Sequence, residues 1–301
     1  MKTQKYGVEI ELTGIKRADA AQVVADYYGT SKEYLGTYYE KWGARDRQGR
    51  LWVMMSDSSI RTELKNGTSV GSEYSCEMVT PILGWEDIED LQEIVRMLRS
   101  KGAIANSSCG IHVHVDATGF TAKKIKNLVN IMACKEDLLY KALQVRPNRE
   151  SSYCRKTDET FFRKINNKQH LTVNRIADYW YEGQRDGDTR LNHYNSTRYH
   201  ALNLHSLWQR KGIEFRCFNG TTHAGKIKTY IQLCLAICNQ ALTQDKARAM
   251  KTKSNNEKYT FRTWLLRMGM IGDEFKTARD FLLKNLDGDI AFKNGRPNRA
   301  A

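Results

Sequence analysis

The chain lacks several features that would place it in a specialised class of protein. No apolar stretch approaches the roughly 18 residues that a membrane-spanning helix needs, and the amino-terminal residues contain no apolar signal region. Only 3 prolines occur in 301 residues, and neither a low-complexity linker nor an internal repeat interrupts the chain. We therefore expect a soluble, cytoplasmic protein with no membrane segment, long enough to bury a large core.

Cysteines are few, and their spacing matches no disulfide framework. Seven is an odd number, and a chain of this length does not need cross-links to be stable. Reduced thiols in a cytosol are therefore the simplest account. Cys109 precedes His112 closely enough to leave a Cys/His zinc site open. The spacing of Cys234 and Cys238 within an apolar helical pattern indicates core packing instead.

Acidic residues are outnumbered by basic ones. The chain has 34 Asp and Glu against 48 Lys and Arg, a formal net charge of +14, and its pI is about 9.4. Such a balance favours an anionic partner, for example a nucleotide, an acidic peptide or a nucleic acid.

The most informative segment alternates strictly from Cys109 to Asp116. In a β-strand, one side would carry Ile111, Val113 and Val115. The other side would carry His112, His114 and Asp116, about 7 Å from one member to the next. Neighbouring members could share a metal site, and an ordinary polar strand face is the plain alternative.

Two other segments repeat this design. Near the start, Glu9 and Glu11 alternate with Val8, Ile10 and Leu12. Far downstream, Glu214 and Arg216 alternate with Ile213, Phe215 and Cys217. Side-by-side carboxylates repel unless a cation lies beside them, and mixed carboxylate and imidazole ligands suit Mg²⁺, Mn²⁺ or Zn²⁺. An arginine at such a site suits a phosphate or carboxylate.

Four further polar residues lie in or beside predicted strands. Asp57 ends the strand-like segment that begins at Leu51, and a turn cap is its plain alternative. Glu77 interrupts an apolar run, where a carboxylate is costly to bury without a partner; an edge-strand surface position is the alternative. Arg198 and Asn203 fall in a further predicted strand, where Arg198 is either an anion contact or an ordinary surface arginine.

The order of six short motifs resembles the amidoligase family, which is related to glutamine synthetase and glutamate–cysteine ligase. The motifs are Gly-Val-Glu-Ile-Glu, Asp57-Ser-Ser, Glu77-Met-Val-Thr-Pro, Cys-Gly-Ile-His-Val-His-Val, Arg-Tyr-His-Ala-Leu-Asn-Leu and Ile-Glu-Phe-Arg. The resemblance covers about residues 5 to 240. It implies an α+β fold in which a curved antiparallel sheet holds ATP and divalent metals on a concave active-site face, with helices packed on the other face.

The resemblance also implies a role for each matching residue. One Mg²⁺ (or Mn²⁺), near the nucleotide phosphates, would be held by Glu9, His112 and Glu214. A second would be held by Glu11, Glu77 and Asp57. His114 and Arg216 would contact phosphate or the transition state, and Arg198 and Asn203 would hold substrate or nucleotide.

The implied reaction is ATP-dependent joining of a carboxylate to an amine through an acyl phosphate. The basic composition allows one of the two substrates to be a peptide or other anionic polymer, and nothing in the sequence identifies either substrate. Such catalysis depends on positioning and charge neutralisation, and the chain has no nucleophile-elbow or phosphate-loop pattern. Two alternatives stay open. His-x-His-x-Asp also occurs in metal-dependent hydrolases, and the basic, Tyr-rich segment at 145–200 suits a non-catalytic nucleic-acid-binding protein.

The predicted organisation is a catalytic domain at 1–245, with a basic insertion of short helices at about 145–195, and a helical appendage at 246–301. A strand is predicted at 5–13, further strands within 35–60 and 73–80, and a hairpin from the strands 198–206 and 212–218. Helices are predicted at 19–28, 85–101, 121–140, 223–242, 261–268 and 273–285. The tail from Asp287 is expected to fray.

Overall fold

A computed structural model describes residues 1–168, 170–183, 190, 192 and 194–293 of the chain. The strands are β1 (Tyr6–Leu12), β2 (Lys32–Gly36), β3 (Lys41–Arg45), β4 (Leu51–Met55), β5 (Cys76–Val79), β6 (Gly110–Asp116), β7 (Leu202–Asn203) and β8 (Gly212–Asn219). The α-helices are α1 (Arg17–Tyr28), α2 (Ile88–Ser100), α3 (Ala122–Leu143), α4 (Pro147–Ser152), α5 (Glu159–Asn166), α6 (Val173–Trp180), α7 (His205–Arg210), α8 (Ala224–Thr243), α9 (Glu257–Arg267) and α10 (Lys276–Leu283).

The chain divides into two compact units. The first, here called the strand unit, comprises Lys2–Asp116 and Phe218–Ile231. The second, the helical unit, comprises Met1, Ala117–Cys217 and Gln232–Ala301. The boundary predicted at residue 245 stays a prediction.

The strands form one antiparallel sheet in the order β2-β3-β4-β5-β1-β6-β8-β7, and this sheet is not closed into a barrel. The strand β8 begins in the helical unit and ends in the strand unit. The predicted combination of helices with an antiparallel sheet is therefore confirmed. The predicted concave face and the likeness to glutamine synthetase stay predictions.

A row of apolar side chains crosses the sheet of the strand unit and explains why these segments form strands. Met54 faces Met78, Met78 faces Ile10, and Ile10 faces Ile111. All four side chains are fully buried. Burying a side chain of this size stabilises the fold by about 1.5–3 kcal/mol. The alternation that brings these residues to one face places their polar neighbours on the other.

Two helices of the strand unit pack around this core. α1 lies against β3 and β4, and the ring of Tyr28 contacts that of Trp52, with centroids 6.0 Å apart. α2 buries the apolar stripe that its sequence predicts: Ile88, Leu91, Ile94, Val95 and Leu98. Its predicted start at Trp85 is three residues early, because Trp85–Asp87 form a 3-10 turn ahead of the helix.

The helical unit contains the segment that was predicted as a basic insertion. The short helices expected there are present as α4, α5 and α6. Side-chain caps explain two starts: Asp158 accepts the Phe161 N–H, and Thr172 accepts the Arg175 N–H. Of the tail predicted to fray, residues 294–301 lie outside the described residues. Within the described part of the chain, every helix is too short or too polar to cross a bilayer.

The hairpin predicted from 198–206 and 212–218 is wrong in its first half. Only Leu202–Asn203 pairs with β8, and residues 205–210 form α7. The side chain of Asn203 accepts the His205 N–H at 2.9 Å, an Asx turn that interrupts the extended backbone just before the helix. Arg198 correspondingly lies in a 3-10 turn, Ser196–Arg198, rather than in a strand.

Candidate metal centre

Glu9 and Glu11 lie on the polar face of β1, the strand between β5 and β6. The register places Glu9 directly opposite His112 of β6 and Glu11 directly opposite Glu77 of β5. His114, two residues beyond His112, faces the same side of the sheet. Residues from three strands that are far apart in sequence therefore meet on one face.

Glu9 is in contact with both histidines of β6. His112 Nδ1 lies 3.0 Å from Glu9 Oε2, and His114 Nε2 lies 3.2 Å from Glu9 Oε1. The other ring nitrogen of His112, Nε2, lies 3.7 Å from Glu11 Oε1. The His112 imidazole thus lies between the two carboxylates of β1, and its side chain is only 5% exposed.

The pKa of the Glu9 carboxyl lies well below its ordinary value. Burial acts in the opposite direction and would raise the pKa, because it penalises the charged form. The charge of His114 and the hydrogen bonds with His112 and His114 outweigh burial and lower the pKa. The Glu9 carboxylate is therefore ionised near neutral pH and can act as a metal ligand.

A second acidic group surrounds the pairing of β1 with β5. Glu11, Asp57 and Glu77 each offer a carboxylate oxygen, and these oxygens lie within 4.8 Å of one another. Two charges at that separation repel by roughly 3 kcal/mol at the effective dielectric typical of protein sites. Like charges directly opposite on paired strands are destabilising. A bound cation is the simplest way to offset this repulsion.

Asp57 is held by a buried serine that the sequence did not single out. Ser75 Oγ accepts the Asp57 N–H at 3.0 Å, and its hydroxyl donates to the Asp57 carbonyl at 2.6 Å. The Asp57 Oδ1 atom also accepts the Ser59 N–H at 2.7 Å. Asp57 therefore caps the turn through Oδ1, and its other carboxylate oxygen, Oδ2, can bind a metal.

Arg17 secures the turn that carries Ser75. Its Nη1 donates to the carbonyls of Ser72 and Ser75, each at 2.7 Å, and its Nε donates to the Glu40 carbonyl at 3.2 Å. Arg17 is only 3% exposed. Nothing local in the sequence distinguishes it from an ordinary arginine at the start of an amphipathic helix, since its partners lie 23 to 58 residues away.

The donor set of the strand unit fits a divalent cation. Two sets of three ligand atoms lie within 4.8 Å of one another, Glu9–Glu77–His112 and Glu11–Asp57–Glu77. Ligands about 2.1 Å from Mg²⁺ are at most about 4.2 Å apart, so small rotations would bring either set into range. Glu77 belongs to both sets. Neither set includes a cysteine, which gives no support to the Cys/His zinc alternative.

Two alternatives are settled by position. β5 lies between β4 and β1, so Glu77 is not on an edge strand. Asp116 ends β6 and is exposed, whereas His112 is buried, and Asp116 belongs to neither ligand set. The seven cysteines are free thiols and buried, including Cys234 and Cys238, which pack in the core as predicted.

The remaining predicted residues lie in the helical unit. Glu214 and Arg216 are both about 95% buried and form an ion pair on β8. Asn203 donates its side-chain N–H to the other Glu214 oxygen at 2.5 Å. Asn203 therefore orients Glu214. Arg198 is half-buried beside the ring of Tyr199. The roles predicted for these four residues stay predictions.

Comparison with protein-family models gives a match for this chain. No curated protein sequence matches the chain. A protein-family model described as "putative amidoligase enzyme" matches residues 2–238. That range contains both metal-ligand sets of the strand unit together with the Glu214–Arg216 pair. With most of its length matched, this chain belongs to the amidoligase family, whose name denotes a ligase-type enzyme.

Proposed function

We propose that this protein is an ATP-dependent carboxylate–amine ligase that forms an amide bond through an acyl phosphate. The observation that carries the proposal is the pair of ligand sets in the strand unit, in which three carboxylates converge within 4.8 Å. Such a concentration of negative charge is costly without cations, and magnesium-dependent phosphoryl transfer supplies them. Membership of the amidoligase family supports ligase chemistry.

The reaction proceeds in two balanced steps. An oxygen of the acid substrate attacks the γ-phosphorus of ATP, the bond to the β–γ bridging oxygen breaks, and ADP leaves with the electron pair. The amine then attacks the acyl carbon, the bond from that carbon to the phosphate oxygen breaks, and the amine's proton passes to the departing phosphate or to water. Bound Mg²⁺ or Mn²⁺ would offset the negative charge of the phosphates.

The residues of the strand unit have separate tasks in this proposal. Glu9, His112 and Glu77 hold one cation, and Glu11, Asp57 and Glu77 hold the other. His114, whose Nε2 lies 3.2 Å from Glu9 Oε1, contacts the transferred phosphoryl group. A ring N–H of His114 would donate to a phosphoryl oxygen as charge develops.

For the helical unit, the proposal keeps the assignments that the family resemblance implies. Glu214 is a further metal ligand, Arg216 contacts a phosphoryl group, and Arg198 and Asn203 hold substrate or nucleotide. Local contacts support the assignments of Glu214 and Arg216. Asn203 and Arg216 each bind one oxygen of the buried Glu214 carboxylate and so hold it in one orientation. The acid or amine belongs to a peptide or other anionic polymer, consistent with the net charge of +14. The free thiols agree with action in the cytoplasm.

The test is a turnover assay with the purified full-length chain, ATP, Mg²⁺ and a panel of carboxylates and amines. Release of ADP that depends on the acid is the expected result, whereas release of AMP would indicate adenylation instead. Glu9→Gln and His112→Ala should each lower turnover at least a hundredfold, whereas the exposed control Glu89→Gln should not. Full activity in both site variants would refute the metal assignment. Bound zinc without ATP turnover would favour a hydrolase.

A further inference from the structure

A strip of apolar side chains lies beside the candidate metal centre on the same face of the sheet. Directly opposite residues of antiparallel strands share a face. Met55 of β4 lies opposite Glu77 of β5, and Val53 of β4 lies opposite Val79, which in turn lies opposite Glu9. The side chains of Met55 and Val53 are only half-buried. The metal-ligand sets therefore continue into a partly exposed apolar surface.

Lys41 of β3 lies on the far side of this strip. Trp42 and Met54 are directly opposite each other. Lys41, one residue before Trp42, therefore faces the same side of the sheet as Met55, one residue after Met54. The strand β3 is two positions from β5 in the sheet, so the backbones of Lys41 and Glu77 are about 10 Å apart at about 4.8 Å per strand. A basic side chain thus lies on the face of the metal centre, beyond the apolar strip.

Contacts of the preceding turn hold Lys41 in place. Its Nζ lies 5.7 Å from the ring centre of Tyr39. A cation–π contact of this kind positions an ammonium group without neutralising its charge. The Tyr39 carbonyl accepts the Ser56 N–H at 3.1 Å, and Ser56 directly precedes the metal-ligand candidate Asp57. The turn that leads into Lys41 is therefore fixed to the segment that carries Asp57.

This face offers an anionic ligand two points of attachment with an apolar surface between them. A cation bound beside Glu77 would attract one anionic group, and Lys41 would attract another. An extended peptide advances by about 3.3 Å per residue, so three residues span the distance of about 10 Å between the two points. Apolar side chains of such a peptide would lie against Met55 and Val53. A single-stranded nucleic acid fits less well, because its regularly spaced phosphates need a continuous basic groove.

We propose that the acid substrate is an acidic peptide, and that Lys41 binds a second carboxylate about three residues from the reacting one. The inference rests on the proposed function, because it names the substrate class of the same site. Lys41 pairs with the second carboxylate, and Val53 and Met55 contact the side chains between the two. The reacting carboxylate lies at the cation beside Glu77. Lys41 therefore determines specificity and takes no part in holding the metal.

The test is calorimetric titration of the full-length chain with two probe peptides in Mn²⁺, at fixed ionic strength and without ATP. The diacid acetyl-Glu-Leu-Leu-Gly has a free terminal carboxylate and a glutamate three residues before it, and the monoacid acetyl-Gln-Leu-Leu-Gly lacks the second charge. The wild type should bind the diacid about tenfold more tightly, which corresponds to one charge-assisted contact. Lys41→Met should abolish this preference by weakening the diacid alone. Lys101→Met, which removes an exposed lysine of the same unit, is the matched control and should bind both peptides unchanged.

A second variant separates the charge of Lys41 from its packing. Lys41→Arg keeps the charge and should retain the preference for the diacid. An equal loss for both peptides in Lys41→Met, or no saturable binding of either peptide by the wild type, would overturn the proposal. Lys41-dependent binding of octathymidylate that is tighter than binding of the diacid would also overturn it, in favour of a nucleic-acid substrate.

Release of ADP tests the ligase reaction separately from the peptide site. Lys41-dependent peptide binding without ADP release in the presence of ATP and any acid or amine would count against the reaction and not against the peptide site. ADP release by a chain whose peptide affinities do not depend on Lys41 would count against the peptide site alone.

Discussion

Replacing Glu77 with glutamine should make the protein more stable without metal and less responsive to metal. Glu77 lies directly opposite Glu11 on the paired strands β5 and β1, and one of its oxygens lies within 4.8 Å of those of Glu11 and Asp57. Glutamine keeps the shape of the side chain and removes its charge. The substitution therefore isolates the electrostatic repulsion that a cation would otherwise offset.

The expected magnitude follows from the separation of the charges. Two carboxylate oxygens no more than 4.8 Å apart repel by at least roughly 3 kcal/mol at an effective dielectric of about 20. Glu77 is half-buried, so water screens part of this repulsion. We expect Glu77→Gln to raise the free energy of unfolding by about 1–2 kcal/mol at pH 8 in EDTA. In metal, the wild type should become more stable than Glu77→Gln, because a ligand at about 100 times its Kd stabilises the wild type by about 2.7 kcal/mol.

Urea denaturation followed by tryptophan fluorescence measures both effects, in EDTA and in Mn²⁺. Glu89→Gln, on the exposed side of α2, is the control and should change stability by less than about 0.5 kcal/mol in either buffer. A Glu77→Gln variant that is less stable than wild type in EDTA would contradict the repulsion argument. Equal stabilisation of variant and wild type by Mn²⁺ would show that Glu77 is not a ligand.

Two further predictions concern groups around the candidate centre and in the helical unit. Ser75→Ala removes both hydrogen bonds to Asp57 and should raise the Kd for Mn²⁺, measured by calorimetry, about tenfold. Ser75→Thr keeps the hydroxyl and should bind Mn²⁺ nearly as the wild type does. An equal loss of Mn²⁺ affinity in both variants would argue for a packing effect. Burial raises the pKa of Glu136 to about 7 from 4.5, against the hydrogen bonds it accepts from Thr157. The Glu136 carboxyl therefore loses its proton at a lower pH in the unfolded chain than in the folded chain. The free energy of unfolding should fall by about 3 kcal/mol as pH rises from 4.5 through 7. Glu136→Gln should abolish that fall in urea denaturation measured at successive pH values, and an unchanged fall would refute the assignment.

The periodicity of single strands was sufficient to predict much of the candidate centre. Glu9 and Glu11 alternate with core residues on β1, and His112 and His114 do so on β6. The side-chain period of a strand is 2, so a polar face follows from the apolar one without knowledge of the rest of the fold. The contact of Glu9 with both histidines is the product of two such faces in register.

Periodicity failed where an apolar run was short. The segment before β8 was predicted as one strand from 198 to 206, but it forms a 3-10 turn, a two-residue strand and the start of α7. A run of this length is compatible with either a strand or a helix. Local hydrogen bonds decided the outcome, since Asn203 accepts the His205 N–H at the start of the helix.

Burial of charged groups was not predictable from neighbouring residues. Arg17 and Arg149 are each 3% exposed, although both stand among polar residues in the sequence. Arg17 is buried because carbonyls from Glu40, Ser72 and Ser75 surround it. These partners come from distant segments, so only the folded chain shows which arginines secure a turn.

By itself, the sequence determined the alternating faces of the strands, the residue types on them, the excess of basic charge and membership of the amidoligase family. Each of these is a property of short motifs, their order or composition. The tertiary structure alone decided that Glu11 faces Glu77 and Glu9 faces His112, that Ser75 and Arg17 hold Asp57 in place, and that Arg149 is buried. The physical reason is that strand register and burial depend on contacts between residues far apart in the chain, which no local pattern records.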